Sequence, residues 1–248
     1  MNRITAARER FPGGLKQPAG GMRFGMDALL LAAFTASYGT KAFSVAELGC
    51  GCGAALLGFA LLRHEGKCCG LERDEVLCAA AQDNASLLGL EDRVSFLHYD
   101  LADIAPHPDR FPARFDMVMA NPPYGLSGQG RSSPLPRRES ALRDTAALPV
   151  FCKAAATLLR HHGYFFCIFA ANALPRLCAA LGEAAFGLRR VVPVRAYRAA
   201  PALRVLVEAR YGAAHDVRLE APLTLHSKIG ATPSWTPRAL RFCPWLAK

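Results

Sequence analysis

The 248-residue sequence predicts an open α/β fold, a mostly parallel sheet with helices on both faces, on three observations. Short apolar runs alternate with helix-length segments, the order that builds strand-helix-strand units. A glycine-rich turn, Gly49-Cys50-Gly51-Cys52-Gly53, separates the first run from the helix after it. The run Phe115 to Ala120 ends abruptly in Asn121-Pro122-Pro123-Tyr124, a rigid corner at the carboxyl end of a strand, where ligands of open α/β sheets bind.

Taken in order, residues 11–24 are broken by glycine pairs and prolines into pieces that suit a small hairpin. Asp27 precedes the apolar run Ala28 to Phe34, the pattern of an N-cap before a buried helix; a ligand contact by Asp27 is equally open. Ser44 to Leu48 is the first strand, and the helix after the glycine turn reaches about Arg63. Lys67 to Glu72 is the second strand, Glu75 to Leu88 a helix closed by Gly89, and Val94 to Tyr99 a third strand. A helix over about Thr145 to His161 leads into the strand Tyr164 to Phe169, with His161-His162 favouring the helix C-terminus. A helix over 172–186 precedes a final strand pair, Leu188 to Val194 and Leu203 to Arg210. After Gly212 the tail is interrupted by prolines, and Trp235 and Trp245 are its expected anchors. The expected organisation is an N-terminal extension over 1–26, one main domain over 27–212, and a basic tail over 213–248 packed on that domain.

Composition bounds the rest. At 52% hydrophobic residues the chain can bury a substantial core, and it has no apolar stretch of signal-peptide or membrane-spanning length, so a cytoplasmic protein is expected. Nine cysteines without a Cys-x-x-Cys pair point to reduced, mostly buried thiols; Cys50 and Cys52 lack the further ligands a zinc site needs, and no metal is expected. The formal charge of +10 is uneven: eleven basic against three acidic residues fall in 187–248, as expected if one side meets a polyanion. The loop from Gly125 to Arg138 adds Arg131, Arg137 and Arg138 and no acid.

Several strand ends carry chemistry. Gly49, Gly51 and Gly53 let a backbone approach a ligand at a helix N-terminus, and Gly49-x-Gly51-x-x-Ala54 also satisfies a dinucleotide fingerprint. Glu47, at the end of the first strand, would repel a pyrophosphate but can hold an ammonium group directly or through water. Glu72 is placed to accept both hydroxyls of a ribose, or is a solvated strand end. Asp100 can accept from an adenine amino group with Leu101 against the ring, or is an ordinary strand-terminal aspartate. At the corner, Asn121 offers a side-chain carbonyl, the prolines leave carbonyls free to accept, and Tyr124 offers a face for stacking: a pocket for a planar amine or amide. The competing reading is that Asn-Pro-Pro is only a turn.

Taken together, Glu47 to Gly53, Glu72, Asp100 and Asn121-Pro122-Pro123-Tyr124 resemble the class I S-adenosylmethionine-dependent methyltransferases, and most closely the bacterial tRNA1(Val) adenine-N6 methyltransferase family. Met22 to Leu31, Arg138-Glu139 and Leu203 to Arg210 add to the likeness, which covers roughly residues 11–225. Met26 stands where the family usually has a small hydroxyl residue, and the tail from about Thr224 has no family counterpart. The resemblance implies a Rossmann-like sheet of seven strands with the last antiparallel, S-adenosylmethionine as cofactor, and Arg23 and Asp27 near its methionine portion. It also implies a nucleic-acid partner, tRNA with rRNA as the alternative. Asn121, Pro122 and Tyr124 would act on the target amine, with Pro123, Arg131, Arg137 and Arg138 on the substrate. Guanine-amine methylation in rRNA, methylation of a protein glutamine amide, and a catalytically silent RNA-binding protein are the alternatives.

Overall fold

Four apolar runs, each halted by a glycine or a polar residue, form the parallel half of one sheet: β1 (Ser44–Leu48), β2 (Lys67–Glu72), β3 (Val94–His98) and β4 (Phe115–Ala120). The computed structural model describes residues 2–19, 23–39, 44–105, 107, 114–123, 147–228 and 234–248. β5 (Leu159–Ala170) pairs parallel to β4, and β7 (Ala202–Tyr211) lies antiparallel between β5 and β6 (Phe186–Arg195). The strand order is β3-β2-β1-β4-β5-β7-β6. Beyond the seven expected strands, two of two residues each, β8 (Arg218–Leu219) and β9 (Leu223–Thr224), pair in parallel with β6 and bring the sheet to nine.

The two-residue period of the strands divides the core between the faces. On one side Met117, Met119, Phe166 and Leu206 meet α2 (Met26–Ala36) and α3 (Ala54–Leu62). On the other, Val118, Ala120, Phe165 and Val207 meet α5 (Ala147–Leu158) and α6 (Leu174–Glu183). Residue by residue the strands alternate between the two clusters, so a one-residue slip would send Phe165 and Phe166 to the wrong helices.

The N-terminal segment departs from expectation. Residues 3–10 form a helix, α1 (Arg3–Arg10), capped by Asn2, whose Oδ1 accepts from the Ile4 N–H at 3.3 Å. No strand occurs among the described residues of 11–24, where a hairpin was expected. α1 is held by Arg8, whose guanidinium donates to the Leu88 carbonyl at 2.7 Å and the Gly89 carbonyl at 2.9 Å, the open C-terminal carbonyls of α4 (Glu75–Leu87).

Two boundaries also move. α2 starts at Met26 with Gly25 as its N-cap, so Asp27 is not the cap; it lies in the first turn and its Oδ2 accepts from Arg204 Nε at 2.8 Å. α5 ends at Leu158 and β5 begins at Leu159, which places His161 and His162 in the strand rather than at a helix end; His162 has a positive φ of 64°. The tail returns across α2 and α3. α7 (Pro237–Phe242) is capped by Thr236, and Trp245 meets Phe11 edge to face with ring centroids 4.9 Å apart. All nine cysteines are free, seven of them buried, and burial pushes the Cys50 and Cys167 thiols well above their ordinary range.

Candidate functional site

Register sets the site. Leu48 is level with Leu71 on one side and with Ala120 on the other, and Glu72 is level with His98. The residues that follow these levels, Gly49, Glu72, Asp100 and Asn121, therefore lie along one edge of the sheet, at the carboxyl ends of β1 to β4.

The glycine turn has the conformation its sequence demands. Gly49, Gly51 and Gly53 all have positive φ, at 63°, 56° and 83°. Their surroundings differ. A Cβ at Gly53 would lie 2.7 Å from the Phe96 ring, and one at Gly49 would lie 3.1 Å from Phe151. A Cβ at Gly51 would meet nothing within 4 Å. The middle glycine thus faces open space, and the outer two are packed against the protein.

Carboxylates hold this turn in place. Glu72, 8% exposed, accepts from the Gly51 N–H at 2.8 Å through Oε2 and from the Asp74 N–H at 2.9 Å through Oε1. Each of its oxygens retains a second acceptor site for a hydroxyl. Glu47, 3% exposed, accepts from the Leu56 N–H at 2.9 Å, tying β1 to the first turn of α3. Burial pushes the Glu47 carboxyl well above the usual carboxylate range; the Leu56 N–H pulls it back, and the nearby Glu72 charge pushes it up further. Asp100 is exposed and caps a short 3-10 helix (Leu101–Asp103), accepting from the Ala102 N–H at 2.9 Å; Leu101 is buried.

At the end of β4 the chain leaves the sheet through Asn121, Pro122 and Pro123, with Pro122 buried. The Asn121 Oδ1 is shielded from solvent and has no hydrogen-bond partner among the described residues. A buried acceptor left unmatched costs about 1–3 kcal/mol, so the Asn121 oxygen would gain from a donor supplied from outside. Tyr124, Arg131, Arg137 and Arg138 lie outside the described residues.

Arg23 is exposed, two residues before the N-cap of α2, and Asp27 is joined to Arg204 at the start of β7 on the same edge of the sheet. Other positioning residues were not singled out by sequence reasoning. Phe96 and Phe151 wall the glycine turn. Asn84, fully buried in α4, accepts from the Lys16 N–H at 2.7 Å and donates to the carbonyls of Lys16 at 3.1 Å and Cys52 at 3.0 Å, pinning the N-terminal segment to the turn. A lone asparagine in a helix rich in alanine was its only signal.

An opening over Gly51, a ribose-type acceptor in Glu72 and an unmatched amide oxygen at Asn121 fit an adenosine-containing cofactor beside a target that donates N–H groups. Comparison with known proteins supports the fold and the cofactor. A family model described as a methyltransferase domain matches residues 40–185. A tRNA1(Val) (adenine(37)-N6)-methyltransferase from Enterobacter sp. (strain 638) is 31% identical over 150 residues, 59% of this chain and 58% of that protein. A release factor glutamine methyltransferase from Caulobacter vibrioides is 35% identical over 83 residues, 34% of this chain and 27% of that protein. The match spans 58% of the length of the tRNA methyltransferases from Enterobacter sp. (strain 638) and Actinobacillus succinogenes. Among solved structures, a predicted O-methyltransferase from Agrobacterium tumefaciens shares the fold at a TM-score of 0.71 and 23% identity, over 88% of this chain and 96% of that one.

Proposed function

Because the chain belongs to the methyltransferase-domain family, whose cofactor is S-adenosylmethionine, we propose that it methylates an exocyclic amine of a nucleobase, adenine N6 in tRNA. The observation that carries the reading is the buried, unmatched Oδ1 of Asn121. When bound, S-adenosylmethionine supplies an electrophilic methyl group. Gly51 would leave room for it, Glu72 would receive its ribose hydroxyls, Asp100 and Leu101 would take its adenine, and the Glu47 carboxyl, tied to the Leu56 N–H, would accept from its ammonium group directly or through water.

The residues at the corner address a problem of nucleophilicity. The lone pair of a purine amine is delocalised into the ring, so the nitrogen is a poor nucleophile. Asn121 Oδ1 and the Pro122 carbonyl, each accepting one of its N–H groups, stabilise positive charge as it builds on nitrogen, a contribution made mainly in the transition state. No strong general base is required, because the product amine loses its proton readily. Tyr124 would stack on the base, and Arg131, Arg137 and Arg138 would meet phosphates. A base in an RNA loop is cheaper to extrude than one in a duplex.

One observation favours a second reading: the likeness to a release factor glutamine methyltransferase, since a glutamine amide also presents two N–H groups in a plane. Incubation with methyl-labelled cofactor and, separately, tRNA, rRNA and release factor, followed by digestion of the labelled product, decides. Label in N6-methyladenosine from tRNA supports the proposal, and label in protein alone reverses it.

A further inference from the structure

The tail gives the catalytic edge of the sheet something the seven-stranded core lacks. β6 runs in the same direction as β4, so the turn after it, 196–201, rises from the edge that carries Asn121. β9 lengthens that edge by pairing beside the end of β6, with Leu223 level with Val194 and Thr224 level with Arg195. Two further bonds continue the pairing past the strand: Leu225 N–H to the Arg195 carbonyl at 2.9 Å and His226 N–H to the Ala196 carbonyl at 2.8 Å. His226 then bridges to Trp235, which the chain reaches on its way to α7.

This path assembles three rings from distant parts of the chain. Tyr197 lies 5.6 Å from His226, and His226 lies 4.4 Å from Trp235, centroid to centroid, with the planes of each pair tilted by about 40°. All three are half-buried, so each keeps part of its surface open to solvent. Arg198 and Lys228, both exposed, flank Tyr197 and His226 in the chain, and no acidic residue lies in 196–201 or 221–228. From spacings of about 4.8 Å between strands, the turn lies roughly 15 Å across the sheet from Asn121. A single RNA strand can span that distance.

We propose that Tyr197, His226 and Trp235 form a stacking platform for an unpaired base of the RNA substrate, with Arg198 and Lys228 holding the adjoining phosphates. Partly exposed rings beside cations, with no acid in 196–201 or 221–228, match what single-stranded RNA needs: a π-face for a base and positive charge for the backbone. The inference rests on the reading of the substrate as RNA. It assigns the tail to substrate capture, away from the methyl transfer itself.

The test compares wild type with Trp235→Ala, Tyr197→Ala and Trp235→Phe. Binding of total tRNA and of a fluorescein-labelled single-stranded RNA of mixed sequence is followed by anisotropy, with S-adenosylhomocysteine affinity as the folding control. Each alanine variant should bind RNA about 5- to 150-fold more weakly, the span for losing one stacked base. KM for tRNA should rise with kcat unchanged at saturation, and Trp235→Phe should keep most of the affinity. In wild type, a 4-thiouridine-substituted RNA should crosslink to peptides containing Tyr197 or Trp235. If wild type binds and methylates tRNA while both alanine variants match it and the crosslinks fall elsewhere, the platform is refuted and the proposed function stands. If wild type binds no RNA, both fail together.

Discussion

Alanine at Gly51 should separate cofactor binding from folding. The position has a left-handed φ of 56°, and a Cβ there meets nothing within 4 Å. Alanine therefore loses only the backbone term, about 1–2 kcal/mol, which in a domain of this size lowers Tm by about 2–8 °C. The empty space above it is where the cofactor would lie, and an overpacked methyl there costs binding about 1–3 kcal/mol, roughly a 5- to 150-fold weaker Kd. Gly53→Ala should do the reverse. Its φ of 83° imposes the same backbone cost, and its Cβ would press on Phe96 at 2.7 Å and on Ala81 at 3.2 Å. The sum is about 2–5 kcal/mol of stability, with cofactor affinity changed less than in Gly51→Ala. Titration calorimetry with S-adenosylhomocysteine and thermal unfolding of both variants check the pair. Wild-type affinity in Gly51→Ala would place the cofactor elsewhere.

Asn121→Ala should lower turnover by about 10²–10³-fold, by analogy with the loss of an oxyanion-hole donor, with S-adenosylhomocysteine affinity unchanged; because it removes an unmatched buried acceptor, urea unfolding should show it no less stable than wild type. Glu47→Gln should gain on wild type as pH rises. The buried acid has its folded pKa raised, so wild type loses stability between the unfolded and folded values, by up to about 1.4 kcal/mol per pH unit, and Tm measured from pH 4 to 9 should show the gap opening upward. Arg190 donates to Glu208 at 3.0 Å and stacks over Phe34 at 4.5 Å; Arg190→Met should cost about 3–5 kcal/mol by leaving a buried charge unpaired, and adding Glu208→Gln should recover part of that in urea unfolding. RNA affinity should fall steeply with salt, each neutralised phosphate adding about 0.7–0.9 to the log–log slope, and a flat dependence would remove RNA as substrate.

The strands were legible because each signal was local. β1 and β2 begin and end at the expected residues, since an apolar run stopped by Gly49 or Arg73 needs no distant partner to be recognised. The failures have tertiary causes. Asp27 reads equally as a cap or a ligand contact because it stands before seven apolar residues; only the cap half fails, since Gly25 caps α2 and the Asp27 Oδ2 accepts from Arg204, 177 positions away. His161 and His162 follow an alanine-rich helix without a loop, and nothing local reveals that the chain turns into a strand at Leu159. Residues 11–24 carry hairpin punctuation, but Lys16 bonds instead to the side chain of Asn84. Of the site, the acids and glycines were visible as types at spacings. That only Gly51 faces open space, and that the Asn121 oxygen goes unmatched, depends on what packs around them.

The contact between Phe11 and Trp245 has a consequence for how the chain is made. Nearby, Lys248 donates to the Glu9 carbonyl at 2.7 Å across 239 positions of sequence. At translation rates of about 5–20 residues per second, the wall for α1 emerges some 12–50 seconds after α1 itself. During that interval the Phe11 ring lacks its Trp245 contact. The packing around α1 is therefore completed by the C-terminal segment, and a chain cut before Trp235 would keep β9 on β6 but leave Phe11 without its edge-to-face partner.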